Sequence, residues 1–132
     1  MRKVLLTILL CLLTTSAFAM NVTQTGHSYP IKTKTYTTSG VDETLTDEVV
    51  WTPTTGTKIV LVGASFSSDV ATEFKVEQGT TSVIPSTQAT ASGSIVIGNG
   101  TPIWKGSDNQ TLTLTTNSAG QHSILLWGYE AD

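Results

Sequence analysis

The sequence predicts an all-β protein, a jelly-roll-like β-sandwich of about eight strands behind a cleaved leader. Three observations predict it. Threonine, a β-branched residue suited to pleated surfaces, is abundant beside serine and glycine. No window beyond residue 20 carries a 3.6-residue apolar period, whereas several alternate with period two. Turn signals recur at intervals near ten residues, the spacing of a sandwich or barrel.

The chain opens with Arg2 and Lys3, the apolar run Val4 to Leu13, and Ala17-Phe18-Ala19, a small-residue cleavage pattern. The apolar run is half the roughly 20 residues a spanning helix needs, so residues 1–19 read as a secretory signal peptide. Cys11, the sole cysteine, lies inside that run, so no disulfide is expected after cleavage. Beyond residue 19, five lysines face ten acids, a net charge of −5. That balance disfavours nucleic acid and anionic membrane surfaces as partners.

Residues 20–40 are polar and read as a flexible N-terminal arm, with one edge strand near 31–38 that Pro30 suits at its start. The sharper alternative is an arm that adds a strand to a neighbouring subunit. Residues 41–132 form the predicted sandwich. Val41 to Glu48 carries four of the ten acids but no calcium-loop spacing, and reads as solvated charge. Val49-Val50-Trp51 is a short strand, with Pro53 and Gly56 marking the turn after it.

Lys58 to Phe66 and His122 to Tyr129 are apolar on both faces, and Gly63 marks a bulge or a close backbone approach. Between them, Ala71 to Glu77 alternates with Phe74 and Val76 inward. Val83-Ile84 is a short strand stopped by Pro85, with a loop to Ser94. Ile95-Val96-Ile97 and Pro102-Ile103-Trp104 are further short strands, and Thr111 to Thr115 alternates before the Asn117–Gly120 turn.

No catalytic set is legible. His27 and His122 have no partner at ligand spacing, and no nucleophile elbow or phosphate loop is present. Glu73 and Glu77, four residues apart on one strand face, lie roughly 13 Å apart, too far for glycoside cleavage. The expectation is therefore a non-enzyme without cofactor or metal. Two binding readings stand. A two-sheet sandwich buries only one face of each strand, so the doubly apolar strands need another cover. Ile59, Leu61, Ile124 and Leu126 are the candidate oligomer interface, with Val60 and Val62 as the opposite phase. Trp104, Tyr29 and Tyr36 are the candidate platform for a glycan.

From Trp51 to Glu130 the chain resembles small β-sandwich proteins that recur in phage and environmental genomes and are taken for virion components. The stretches behind the resemblance are Trp51-Thr52-Pro53, Gly56 to Leu61, Thr111 to Thr116 and Gly128-Tyr129-Glu130. It implies a structural or adhesion role without catalysis. The leader departs from it and points to export, hence to a secreted surface or filament component that assembles with itself. The alternative is a secreted module binding a glycan or surface ligand. Expressed with its leader in a bacterium, the protein should be exported and begin at Met20. N-terminal sequencing that finds Arg2 and Lys3 on the exported product would refute the leader.

Overall fold

The computed structural model describes residues 21–24, 27–38, 40 and 42–132. The predicted leader lies outside the described residues. Eleven strands are found among those described, and every pairing between them is antiparallel. They are β1 (Asn21–Gln24), β2 (His27–Pro30), β3 (Lys32–Thr37), β4 (Glu48–Trp51), β5 (Lys58–Ser68) and β6 (Thr72–Gln78). β7 (Thr81–Ala89), β8 (Gly93–Ile97), β9 (Trp104–Lys105), β10 (Leu112–Thr116) and β11 (His122–Ala131) follow.

One sheet has the order β3-β11-β5-β8, with β9 also paired to β5, and the other has the order β4-β10-β6-β7. The pairs β3/β11, β4/β10, β5/β8 and β6/β7 are the four rungs of one long antiparallel ribbon. Rolling that ribbon brings β11 beside β5 and β10 beside β6. This is the double Greek key of a jelly roll.

The core lies between the sheets. Ile59, Leu61, Ala64 and Phe66 of β5 and Ile124 and Leu126 of β11 meet Trp51, Phe74, Val76, Ile84, Leu112 and Leu114 from the other sheet. Phe66 and Phe74 stack across the gap with centroids 4.1 Å apart. β6 and β10 alternate buried and half-buried residues along their length, which is the period-two pattern read from the sequence.

Two elements differ from expectation. The arm expected at 20–40 is largely built into the fold. β3 pairs with β11 from Lys32 to Thr37, and β1 and β2 form a hairpin. The polar composition that read as an arm reflects an edge strand, which needs only one apolar face. β7 continues through Pro85 to Ala89, because an edge strand tolerates a residue without an N–H. The register shifts there, with Phe74 opposite Thr87 and Val76 opposite Ile84. The acidic loop before β4 keeps Asp42, Glu43, Asp47 and Glu48 exposed, as solvated charge should be, while its backbone is tied down. Thr116 Oγ1 accepts from the Leu45 N–H at 3.0 Å, and Thr115 Oγ1 accepts from the Asp47 N–H at 3.1 Å.

The β5–β11 pairing carries a bulge. Trp127 pairs with Gly63 and Gly128 with Leu61, leaving Val62 as the extra residue on β5. The bulge switches phase. Ile59 and Leu61 point inward before it, and Ala64 and Phe66 point inward after it. Gly63 allows the close approach, since a Cβ there would overlap the Trp127 indole and the Ile97 carbonyl. Gly63→Ala should therefore lower stability by about 1–3 kcal/mol. Combined with Trp127→Leu it should cost less than the sum of the two single changes. Full additivity in denaturant titrations would show that the ring does not depend on the glycine.

Candidate functional site

The four residues expected to form an oligomer interface lie elsewhere. Ile59, Leu61, Ile124 and Leu126 are each 0% exposed, inside the inter-sheet core. The outward residues of the same strands are Val60, Val62, Leu125, Trp127 and Tyr129. Period-two alternation defines two faces but not which one meets the other sheet, and that choice was settled by tertiary packing.

The outer face is covered in part by the chain itself. Val60, Val62, Tyr129 and Ala131 form a second apolar cluster, onto which Tyr29, Ile31 and Trp127 pack. Tyr29 of β2 lies flat on Tyr129, with centroids 5.1 Å and planes 8° apart. Burial, then the neighbouring Tyr29, raises the Tyr129 pKa above its usual value. Beyond this cover the outer face continues in register as Val96, Ser65, Leu125 and Thr35, one residue from each strand. Val96 is 66% exposed and Leu125 37%. The next row is Ser94, Ser67, Ser123 and Thr37; the Thr37 and Ser123 hydroxyls lie 3.1 Å apart, and Ser94 reaches back to Ser65 of the first row at 3.4 Å.

The expected glycan platform does not assemble. Tyr29 sits on the outer face. Tyr36 lies opposite Ile124 and packs on the inner core, where burial first, then Glu48 and Glu43, raise its pKa. Trp104 lies opposite Leu61, near the other end of β5, and is half-buried against the same core. Three aromatics on two faces offer no common plane for a sugar ring.

At one end of the sandwich an open groove of about 390 Å³ is lined by Thr38, Ser67, Asp69, Ser92, Gln121 and their neighbours. His122 forms part of its floor and is buried. Its Nε2 lies 3.1 Å from the carbonyl oxygens of both Glu43 and Ser118, so Nε2 carries the proton and donates to them. Nδ1 shares a hydrogen bond with the Ser68 hydroxyl at 3.0 Å. Ser68 Oγ also accepts from the Val70 N–H at 3.2 Å. Ser68 is 5% exposed and His122 1%, and both lie in the wall of this groove with their polar atoms engaged by neighbouring backbone and side-chain groups. The role of the pair is to pin the acidic loop and the β10–β11 turn to the end of β5. No cluster of three metal-ligating side chains occurs among the described residues.

At the far end of β11 lies a residue that sequence reading missed. Glu130 follows the inward phase of Ile124, Leu126 and Gly128. Its carboxylate accepts from Lys32 Nζ at 2.7 Å, the Thr54 hydroxyl at 2.6 Å, the Trp51 indole N–H at 3.1 Å and the Thr54 N–H at 3.1 Å. These contacts join β3, β4 and β11 across both sheets. A charged residue in the inward phase of an apolar strand was the available signal. Burial works to raise its pKa, but the donors outweigh it: Lys32, the Thr54 hydroxyl, Trp51 and the Thr54 N–H bring it from 4.5 to about 2.

Comparison with family models and with curated proteins gives no match. Among solved structures, a chain of the cyanophage Pam1 capsid asymmetric unit matches with a TM-score of 0.51 at 21% identity. The alignment covers 89% of this chain and 97% of that one. At this identity the likeness is one of fold. It spans a neighbour of nearly the same length, so the shared unit is the whole sandwich.

Because the folded pKa of Glu130 lies below the unfolded one, its contribution is complete above about pH 5 and disappears as pH falls towards 2. Glu130→Gln should cost roughly 2–3 kcal/mol at pH 7 and flatten the acid limb of the stability curve. Equal acid limbs for the two proteins in denaturant titrations from pH 7 to 2 would contradict this.

Proposed function

We propose that the protein is a non-catalytic structural module that works outside the cytoplasm and assembles with copies of itself as a surface, filament or virion-like component. One observation carries the reading: a chain of a cyanophage capsid asymmetric unit shares the fold over 89% of this chain and 97% of its own length. Three features of this chain agree with it. The outer face of the β3-β11-β5-β8 sheet leaves Leu125 and Val96 in solvent on either side of Ser65. The buried Ser68–His122 pair is tied into structural hydrogen bonds. The aromatics that would serve a glycan are dispersed over two faces. Export by the leader is part of the proposal and places the assembly at the cell surface, in the periplasm or in the medium.

Light scattering coupled to size exclusion tests it. The processed protein at high concentration should scatter at a multiple of the monomer mass, falling towards the monomer on dilution. A protein that stays monomeric throughout and is retained on a polysaccharide column would overturn this reading in favour of a glycan-binding module.

A further inference from the structure

The two sheets present five outer strands, and four of them are blunted against further pairing, β9 by being only two residues long and ending in Lys105. β3 carries Lys32 and Lys34, β4 begins at Glu48, and β7 is broken by Pro85 and the register shift beside it. β8 has no such device. Its sequence, Gly93-Ser94-Ile95-Val96-Ile97, has no charge and no proline, and β5 is its sole strand partner among the described residues.

Burial along β8 indicates a missing neighbour. Ile95 and Ile97 point inward, opposite Phe66 and Ala64. Phe66 and Ala64 are each 1% exposed, whereas both isoleucines are only half-buried. On the outer face Val96 is the most exposed large apolar side chain among those described, at 66%. Leaving this edge in water keeps a row of backbone donors and acceptors unpaired by protein and three apolar side chains incompletely covered.

We propose that β8 pairs antiparallel with β8 of a second copy about a twofold axis at Val96, joining the two sheets into one. This rests on the assembly reading above and names its contact. With Val96 at the axis, each Val96 lies opposite its symmetry mate on the outer face. Each Ile95 lies opposite Ile97 of the other copy on the inner face. Such cross-strand apolar pairs are the unit of sheet stabilisation. The strand is self-complementary because it is uncharged. A second β8 meets no like charge, whereas β3 against its own copy would set lysines close together. The twofold contact uses the same patch on both copies. One strand a side makes a small interface, so the pairing depends on concentration.

The test uses the purified protein in a Cys11→Ser background, with Val96→Lys, Val96→Cys and, as a control on the other sheet, Val49→Cys, which is also exposed. Wild type should form a dimer or a larger multiple. Val96→Lys should lower the mass to half or less with an unchanged melting temperature. Val96→Cys should form a disulfide-linked dimer on mild oxidation, because opposed residues at the axis lie within disulfide reach, and Val49→Cys should not. If Val96→Lys assembles as wild type does, the β8 contact is wrong while assembly stands. If wild type is monomeric at every concentration and Val96→Cys does not cross-link, both fail. If wild type assembles but Val96→Cys forms no disulfide-linked dimer, the copies do not meet at Val96 and the β8 pairing is overturned.

Discussion

The bulge between β5 and β11 is the constraint on which the rest of the sandwich depends. Both strands are apolar on both faces, so a regular ladder would give one continuous outer stripe. The extra residue at Val62 shifts the phase, so that β5 is apolar outward only from Val60 to Val62 and hydroxylated outward at Ser65 and Ser67. Gly63 makes this possible by yielding its side-chain volume to the Trp127 ring. One end of the outer face is thereby apolar enough to hold the β1–β2 hairpin through Tyr29 and Ile31, and the other end stays polar and open.

The ends of β11 are secured by polar groups of opposite design. At its start, the His122 ring is held by two carbonyl oxygens at one nitrogen and by a serine hydroxyl at the other. At its finish, Glu130 is an ionised carboxylate surrounded by four donors from three segments. Both stand in the inward phase, and the structure leaves no buried side-chain polar atom without a partner among the described residues. Such fully connected groups select one arrangement of loops, because any other leaves a buried donor or acceptor unmatched. They explain how a chain without a disulfide among its described residues holds long connections against its core.

Legibility differed by element. β6 and β10 could be read residue by residue, because charged or threonine side chains alternate there with Phe74, Val76, Leu112 and Leu114. β5 and β11 could be found but not oriented, since Ile59-Val60-Leu61-Val62 satisfies either phase. β7 was cut short at Pro85, whose tolerance there depends on an edge position known only from the assembled sheet. β3 was legible as an edge strand, yet its placement within the chain's own sheet rather than in a mobile arm required its partner β11. For Glu130 the signal existed, a charge in an apolar phase, but its donors Lys32, Trp51 and Thr54 are distant in sequence.

From the sequence alone came the all-β class, the sandwich, the strand spacing and the special place of Gly63. These rest on local causes: β-branching, period-two alternation and turn residues act within a few positions of one another. Tertiary structure decided which face of each apolar strand is inside, what covers the outer face, and which strand edge is left open. Those outcomes depend on pairing between strands dozens of residues apart. Val96 shows the division. Its strand was evident from Ile95-Val96-Ile97, while its exposure at an uncharged edge appears only once the ribbon is rolled.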